Sequence, residues 1–458
     1  MSEEVIKKKP KTKIDMTKGS IMQLVILFAL PIIASNVLQQ FYTIVDTLII
    51  GNYCGATSIA AIGTSSQPIE VFMCVFMGIG GGVSILVSMY TGSRDDVALG
   101  KVVKTSISFT YMVAIPLSIL GIILTPVILR FMNVPDDTWD LAVIYIRIVF
   151  LGLLGNMGYN MNAGILRGLG DSSSTLLFLI ISSITNIVLD IAFVAGLRMD
   201  VAGAAIATII SMYLAWLASV IYIIKKYPQS GFTFLPKSMD KKSLGDILRI
   251  GLPLGFNNSI YTVGHILMQS LINMQGSGFM AGASVAGKIM GVSSVAISSF
   301  SQAMSTFAGQ NYGAKAYDRL RKGGRIVPMY SAFITITLGV IMYIFAEPLI
   351  MCFTKDPEAI KYALLCVHIQ VPFQWCFCVL NTILNLANGI GAVKYSTVVN
   401  LLMLWAVRIP SAYLIAFLFD GHYVTGGVSI SFVFGMLASL LFYRSKSWKK
   451  IKELEMAM

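Results

Sequence analysis

Charge is scarce in this chain. Of its 458 residues only 12% are Asp, Glu, Lys or Arg, against 56% hydrophobic. A soluble domain carries roughly a quarter charged residues, so this chain lacks the charge to cover a water-facing surface, and lipid must cover much of it. Histidine is scarcer still, and His265, His368 and His422 fit no metal-ligand spacing. Cysteine is limited to Cys54, Cys74, Cys352, Cys366, Cys376 and Cys378 with no CxxC pair, which supports neither a zinc site nor a redox motif. GIGGG at 78–82 lacks the GK[ST] of a phosphate loop and reads as close helix packing. No nucleophile constellation stands out, and no cleavable signal peptide is apparent in the polar, basic first 18 residues. These absences point away from an enzyme.

What is present is long apolar runs. A spanning helix needs about 20 mostly apolar residues. Twelve runs qualify, at 21–50, 58–90, 103–129, 139–164, 174–197, 202–225, 246–273, 279–308, 326–346, 360–387, 395–419 and 423–443. The class is therefore all-α integral membrane. The net charge of +12 would suggest nucleic acid in a soluble protein. Here about 27 of the 34 Lys and Arg fall in or beside alternate loops and the two tails, the pattern of the positive-inside rule. That places both termini in the cytoplasm, with the protein in the plasma membrane and no nucleic-acid partner.

The chain also repeats itself. At a shift of 222, Leu30-Pro31 falls on Leu252-Pro253, Tyr90 on Tyr312, Asp96 on Asp318, Pro126 on Pro348 and Pro135 on Pro357. Asn160, Gly168 and Gly170 match Asn381, Gly389 and Gly391 at 221, and Gly203 matches Gly426 at 223. A series this regular argues for duplication. Each half holds six runs, so the halves share one orientation, as in transporters that rock two lobes about a central cavity. The expected organisation is a basic tail at 1–20, lobes at 21–225 and 246–443, a cytoplasmic linker at 226–245 and a tail at 444–458. A non-transporting scaffold or receptor is the rival of another class.

Three acids, Asp46, Glu70 and Asp190, lie inside runs of the first half. A charge at mid-bilayer costs about 2.5–3.5 kcal/mol on insertion scales, so each is a functional candidate. Asp46 and Asp190 lie at similar depth, roughly 6–10 Å below the outer surface. Tyr42 and Asn186 each precede one of them by four residues and so share its helix face. Two carboxylates with phenol and amide donors suit exchange of a proton, binding of Na⁺ or capture of a cationic guest. Separate acids satisfied by local hydrogen bonds or by Arg147 are the alternative. Glu70 joins the same cavity or pairs with Arg147 or Lys288. Lys288 and Arg408 read as structural, satisfying backbone oxygens at a kink, Arg408 lying two residues before Pro410. Pro31 removes a backbone hydrogen bond and marks a bend, or a passive kink, in the first helix.

Three segments carry a resemblance. VDTLIIGNYCGATSIAAIG (45–63), ILRGLGDSSST (165–175) and TNIVLDIAFVAGLRMDVAGAAIATIIS (185–211) resemble multidrug and toxic compound extrusion (MATE) transporters of the MOP flippase superfamily. The resemblance runs over about residues 15–445. It implies twelve helices in two bundles and export of small organic, often cationic, compounds in exchange for H⁺ or Na⁺. It implies no cofactor, and no metal beyond Na⁺ at Asp46 and Asp190. The pattern of the branch resembling DinF matches Tyr42, Asp46, Asn186, Asp190 and Thr208, and Asn160 is expected to face the same cavity. The branch resembling NorM adds acids on helices 7 and 10. This chain has His265 and Gln269, and His368, Gln374 and Asn381, on those helices instead, which favours the DinF-like branch. The chain is expected to act as a monomer within membrane lipid. A lipid-linked saccharide flippase of the same superfamily is the near rival.

Overall fold

The computed structural model describes residues 13–132 and 134–456, apart from the side chains of residues 56, 57, 59, 60, 64–72, 137 and 452. Within the bilayer no water is available to backbone N–H and C=O groups, and a helix satisfies them within one segment. Accordingly the described residues form helices and no strand.

In the first half, span 1 is Ile21–Tyr53, span 2 Ala56–Ser93 and span 3 Asp96–Phe131. Span 4 is Asp136–Leu151 followed by Leu153–Leu169. Span 5 is Ser172–Asp190 with the turn Ile191–Gly196, and span 6 is Asp200–Lys226. In the second half, span 7 is Lys241–Asn273, span 8 Ser277–Gly313 and span 9 Tyr317–Ile344. Span 10 joins Pro357–Gln370 to Gln374–Gly389. Span 11 runs Val393–Leu401, Leu402–Arg408 and Ile409–Leu418, and span 12 is Gly426–Leu440.

Among the described residues ten helices are long and apolar enough to cross a membrane, and span 4, a bent pair, is an eleventh. Span 7 is the twelfth. Its 33 residues make a rod about 50 Å long, diluted in apolar character by Asn257, Asn258, His265 and Gln269. Large apolar side chains such as Val37, Ile44, Leu48, Ile123, Phe333 and Phe417 are more than half exposed. An exterior of that kind requires a lipid solvent.

Four stretches differ from smooth single helices. Span 4 bends by 46° between Leu151 and Leu153. The intervening Gly152 lets span 6 close in, since a Cβ there would stand 2.6 Å from Ile209. Span 10 is interrupted by a 3₁₀ turn at Val371–Phe373, because Pro372 brings no N–H to the ladder. Spans 5 and 11 each contain a π-helical turn, at Ile191–Gly196 and Leu402–Arg408. The tail beyond 444 holds a further helix, Lys446–Met456, which buries Trp448 and Ile451. Tyr443 beside it donates its hydroxyl to the Gly324 carbonyl.

The described residues divide into two compact units, 13–18 with Leu30–Leu248, and Gly19–Ala29 with 249–456. Within the first, Asp171 caps span 5 by accepting from Ser174 N at 3.0 Å and takes the Tyr222 and Tyr227 hydroxyls at 3.0 and 2.7 Å. Residues after span 6 fold back onto span 3, where Tyr111 donates to Phe234 O and Asp240 N to Thr105 Oγ1.

The duplication is visible at atomic scale inside each unit. A Cβ on Gly168 would lie 2.7 Å from Ser84 O, and one on Gly389 2.5 Å from Ser305 O; the partners are again 221 apart. Arg94 and Lys315, also 221 apart, both take left-handed backbone at φ 57°. The glycine run in span 2 serves the same end: Gly164 approaches Gly80, and a Cβ on Gly164 would stand 2.7 Å from the Gly80 carbonyl oxygen. Backbone on backbone leaves little room to give. Gly164→Ala and Gly389→Ala are each expected to lower stability by about 1–3 kcal/mol. Thermal unfolding of the purified protein in detergent checks this, and unchanged melting would contradict the close approach.

Candidate functional site

Span 1 places Asp46 seven residues before its end at Tyr53. Span 5 places Asp190 as its last α-helical residue, six before Gly196. The depths therefore match, and the two carboxyl groups come within hydrogen-bonding reach of each other. Asp190 is 0% exposed and Asn186 1%, while Asp46 and Tyr42 are half-buried. The wider π turn begins at the residue after Asp190, a feature that often marks functional positions.

A polar chain supports the pair. The Asn186 amide, oriented to satisfy both its ends, donates to Asp190 Oδ2 at 2.8 Å and accepts from Thr208 N at 3.2 Å. The Thr208 side chain shares a hydrogen bond with the Tyr42 hydroxyl. Tyr42, Thr208, Asn186, Asp190 and Asp46 thus link spans 1, 5 and 6. One oxygen of each acid, Oδ1, is buried without a protein partner. Two bare carboxylates about 4 Å apart repel by about 4 kcal/mol at an effective dielectric of 20. Close contact therefore requires a proton or a cation between them. The donor set (carboxylate, amide, hydroxyl and phenol oxygens) suits either, since hard cations take oxygen ligands.

Other candidates stand apart from this cluster. Asn160 donates to Asn156, one turn back on span 4, at 2.8 Å to Oδ1 and 3.0 Å to O, which ties it to its own helix. Arg147 is exposed and is not among the groups acting on either acid. The Glu70 side chain lies outside the described residues. Span 1 continues as helix through Pro31, whose carbonyl accepts from Ser35 Oγ at 2.8 Å. Tyr145 of span 4 is the residue that sequence reasoning missed; it stands close enough to feel both Asp46 and Asp190.

The second unit holds a separate cavity of about 990 Å³. His265, Gln269, Gln374 and Asn381 line it, together with Arg408, and among the described residues no acid does. His368 is elsewhere, exposed and 4.4 Å from the Tyr343 ring. Lys288 is exposed, with Nζ 5.8 Å from the Phe353 ring centre. Arg408 departs from the expected role of satisfying backbone oxygens. Its Nε donates to Ser431 Oγ at 3.0 Å, because spans 12 and 7 present a hydroxyl and two rings where a kink would present carbonyls.

Twelve spans in two repeated halves, with polar side chains gathered inside each half, are the build of a secondary membrane transporter. The chain belongs to the MatE family, whose sequence model matches residues 31–192 and again 253–414, an offset of 222. It is a multi-pass membrane transporter and not an enzyme. Among curated relatives, the probable multidrug resistance protein YpnP of Bacillus subtilis is 28% identical over 440 residues, 96% of this chain and 98% of that one. The probable multidrug resistance protein NorM of Thermotoga maritima is 25% identical over 454 residues, 96% and 95% of the two chains. An outward-facing multidrug resistance MATE transporter of the MOP superfamily superposes with a TM-score of 0.88 at 22% identity, covering 98% of this chain and 99% of its own.

The Asn186 amide is the strut of the cluster. Asn186→Leu keeps the size and strips Asp190 Oδ2 of its donor. A buried acceptor so orphaned is expected to cost about 1–3 kcal/mol, read as a lowered melting temperature of the purified protein. A variant as stable as the parent would show that Asp190 does not depend on that donor.

Proposed function

We propose that this chain is a secondary antiporter of the DinF-like branch, exporting small organic, often cationic, compounds in exchange for H⁺ or Na⁺ taken up at Asp46 and Asp190. The observation that carries the reading is the contact of these two carboxyl groups, each with one buried oxygen that no protein group satisfies. The names of the curated relatives, multidrug resistance proteins, support the cargo class.

Without an ion the pair is doubly negative and attracts a cationic guest. With H⁺ or Na⁺ between them the attraction falls and the guest leaves. A ligand shifts a conformational equilibrium only by its differential affinity for the two states, so the exclusion of ion and cargo is what couples them. Tyr42, Asn186 and Thr208 hold the carboxyl groups in register. Pro31 leaves its turn of span 1 one hydrogen bond short, which makes it the bending point as the ion enters. The protein acts as a monomer in the plasma membrane, with both termini in the cytoplasm.

Reconstitution tests this. Liposomes carrying the protein and a fluorescent organic cation are given a pH gradient or a Na⁺ gradient separately. One gradient is expected to drive the dye across, and Asp46→Asn and Asp190→Asn are each expected to slow that movement at least about tenfold, the worth of one 1.4 kcal/mol interaction. Undiminished coupled transport in either variant would remove the pair from the mechanism.

A further inference from the structure

The cavity of the second unit carries the opposite sign, and nothing described so far uses it. Arg408 is 3% exposed, among the most deeply buried of the charged side chains. Two rings pack against its guanidinium, with Cζ 5.2 Å from the Tyr261 centre and 5.4 Å from that of Phe432. One edge is used, since Nε donates to Ser431. The terminal Nη2 has no acceptor. A buried charge without a partner costs several kcal/mol, and cation–π contact returns only about 2 kcal/mol even when desolvated. Among the described residues, no Asp or Glu lines the cavity to make up the difference.

We propose that this cavity is a binding site for an organic monocarboxylate with a flat apolar body, its carboxylate seated on the free edge of Arg408. A carboxylate matches the planar fork of a guanidinium edge. One cation neutralises one negative charge, which favours a monoanion over a phosphate dianion. Gln374, which lines the same cavity, also has a buried and unpartnered oxygen, Oε1, an acceptor rather than a second cation. Phe377, stacked on Phe432 at 4.5 Å, and Met268 and Met290 supply an apolar wall that adapts to varied shapes. At about 990 Å³ the cavity has room for one drug-sized molecule. The site stands apart from the carboxyl pair of the first unit and does not require that pair to couple ions.

The test is equilibrium dialysis of the full-length protein in detergent against 1-naphthoate and, as a neutral isostere, 1-naphthamide. Naphthoate is expected to bind at least about tenfold tighter than naphthamide, as a charge-assisted pair should. Arg408→Gln is expected to abolish that preference while leaving naphthamide binding unchanged, and Arg408→Lys to keep only part of it. Equal binding of the two probes, or a preference that survives Arg408→Gln, would overturn the proposal. Should Arg408→Gln fail to fold, Ser294→Trp fills the cavity with Arg408 in place; it is expected to lose naphthoate, and unchanged binding would overturn the proposal equally.

Discussion

A hydrocarbon solvent offers no hydrogen bonds, so each polar atom placed inside it must find a partner within the protein or hold one from outside. In the first unit this rule gathers Tyr42, Thr208, Asn186 and Asp190 into one connected chain. It leaves over one oxygen on Asp46 and one on Asp190. Desolvated carboxylates in contact are too costly to stay bare, so the fold itself creates the demand for a proton or a cation. In the second unit the same rule leaves over a donor, the Nη2 of Arg408. Each unit thus keeps a buried ionisable group with an unpartnered atom, carboxylates in the first and the Arg408 guanidinium in the second.

A common scaffold underlies this divergence. Glycines at matching positions, Gly168 with Ser84 and Gly389 with Ser305, let helix backbones meet without side chains between them. Contact of that kind fixes the helix axes tightly, because lipid supplies no hydrophobic drive and packing must do the holding. With the axes fixed by small residues, larger side chains elsewhere on the same helices were free to change. Asn160 and Asn381 keep their identity across the repeat, whereas Asp46 and Asp190 have no acidic counterparts on spans 7 and 11.

The helices were legible because long apolar runs admit no other structure in a bilayer, and the carboxyl pair because an acid in such a run is conspicuous. The four-residue spacing of Tyr42 to Asp46 and Asn186 to Asp190 also told which faces they share. What the sequence hid has physical reasons. Tyr145 sits in an apolar run where a tyrosine attracts no notice, and only the fold brings it near both acids. Gly152 is one of 40 glycines, so its bend carried no signal, while Pro372 gave a signal that the length of its run obscured. Arg408 stood out as a charge, but Tyr261 comes from a span far away in sequence and Ser431 from the next span, 23 residues on. The terminal helix at Lys446–Met456 was masked by its lysines, although Trp448 and Ile451, three apart, already marked one buried face.

In the proposed antiport, the coupling ion and the cargo compete for the Asp46–Asp190 pair. The most direct measurement is ion release on cargo binding, because linkage makes the effect of each ligand on the other reciprocal. Tetraphenylphosphonium is added to the full-length protein in weakly buffered detergent solution, and liberated H⁺ and Na⁺ are both recorded. The account expects about one ion to leave per cation bound, and none to leave from Asp46→Asn. Tight binding of the cation with neither proton nor sodium released would contradict it.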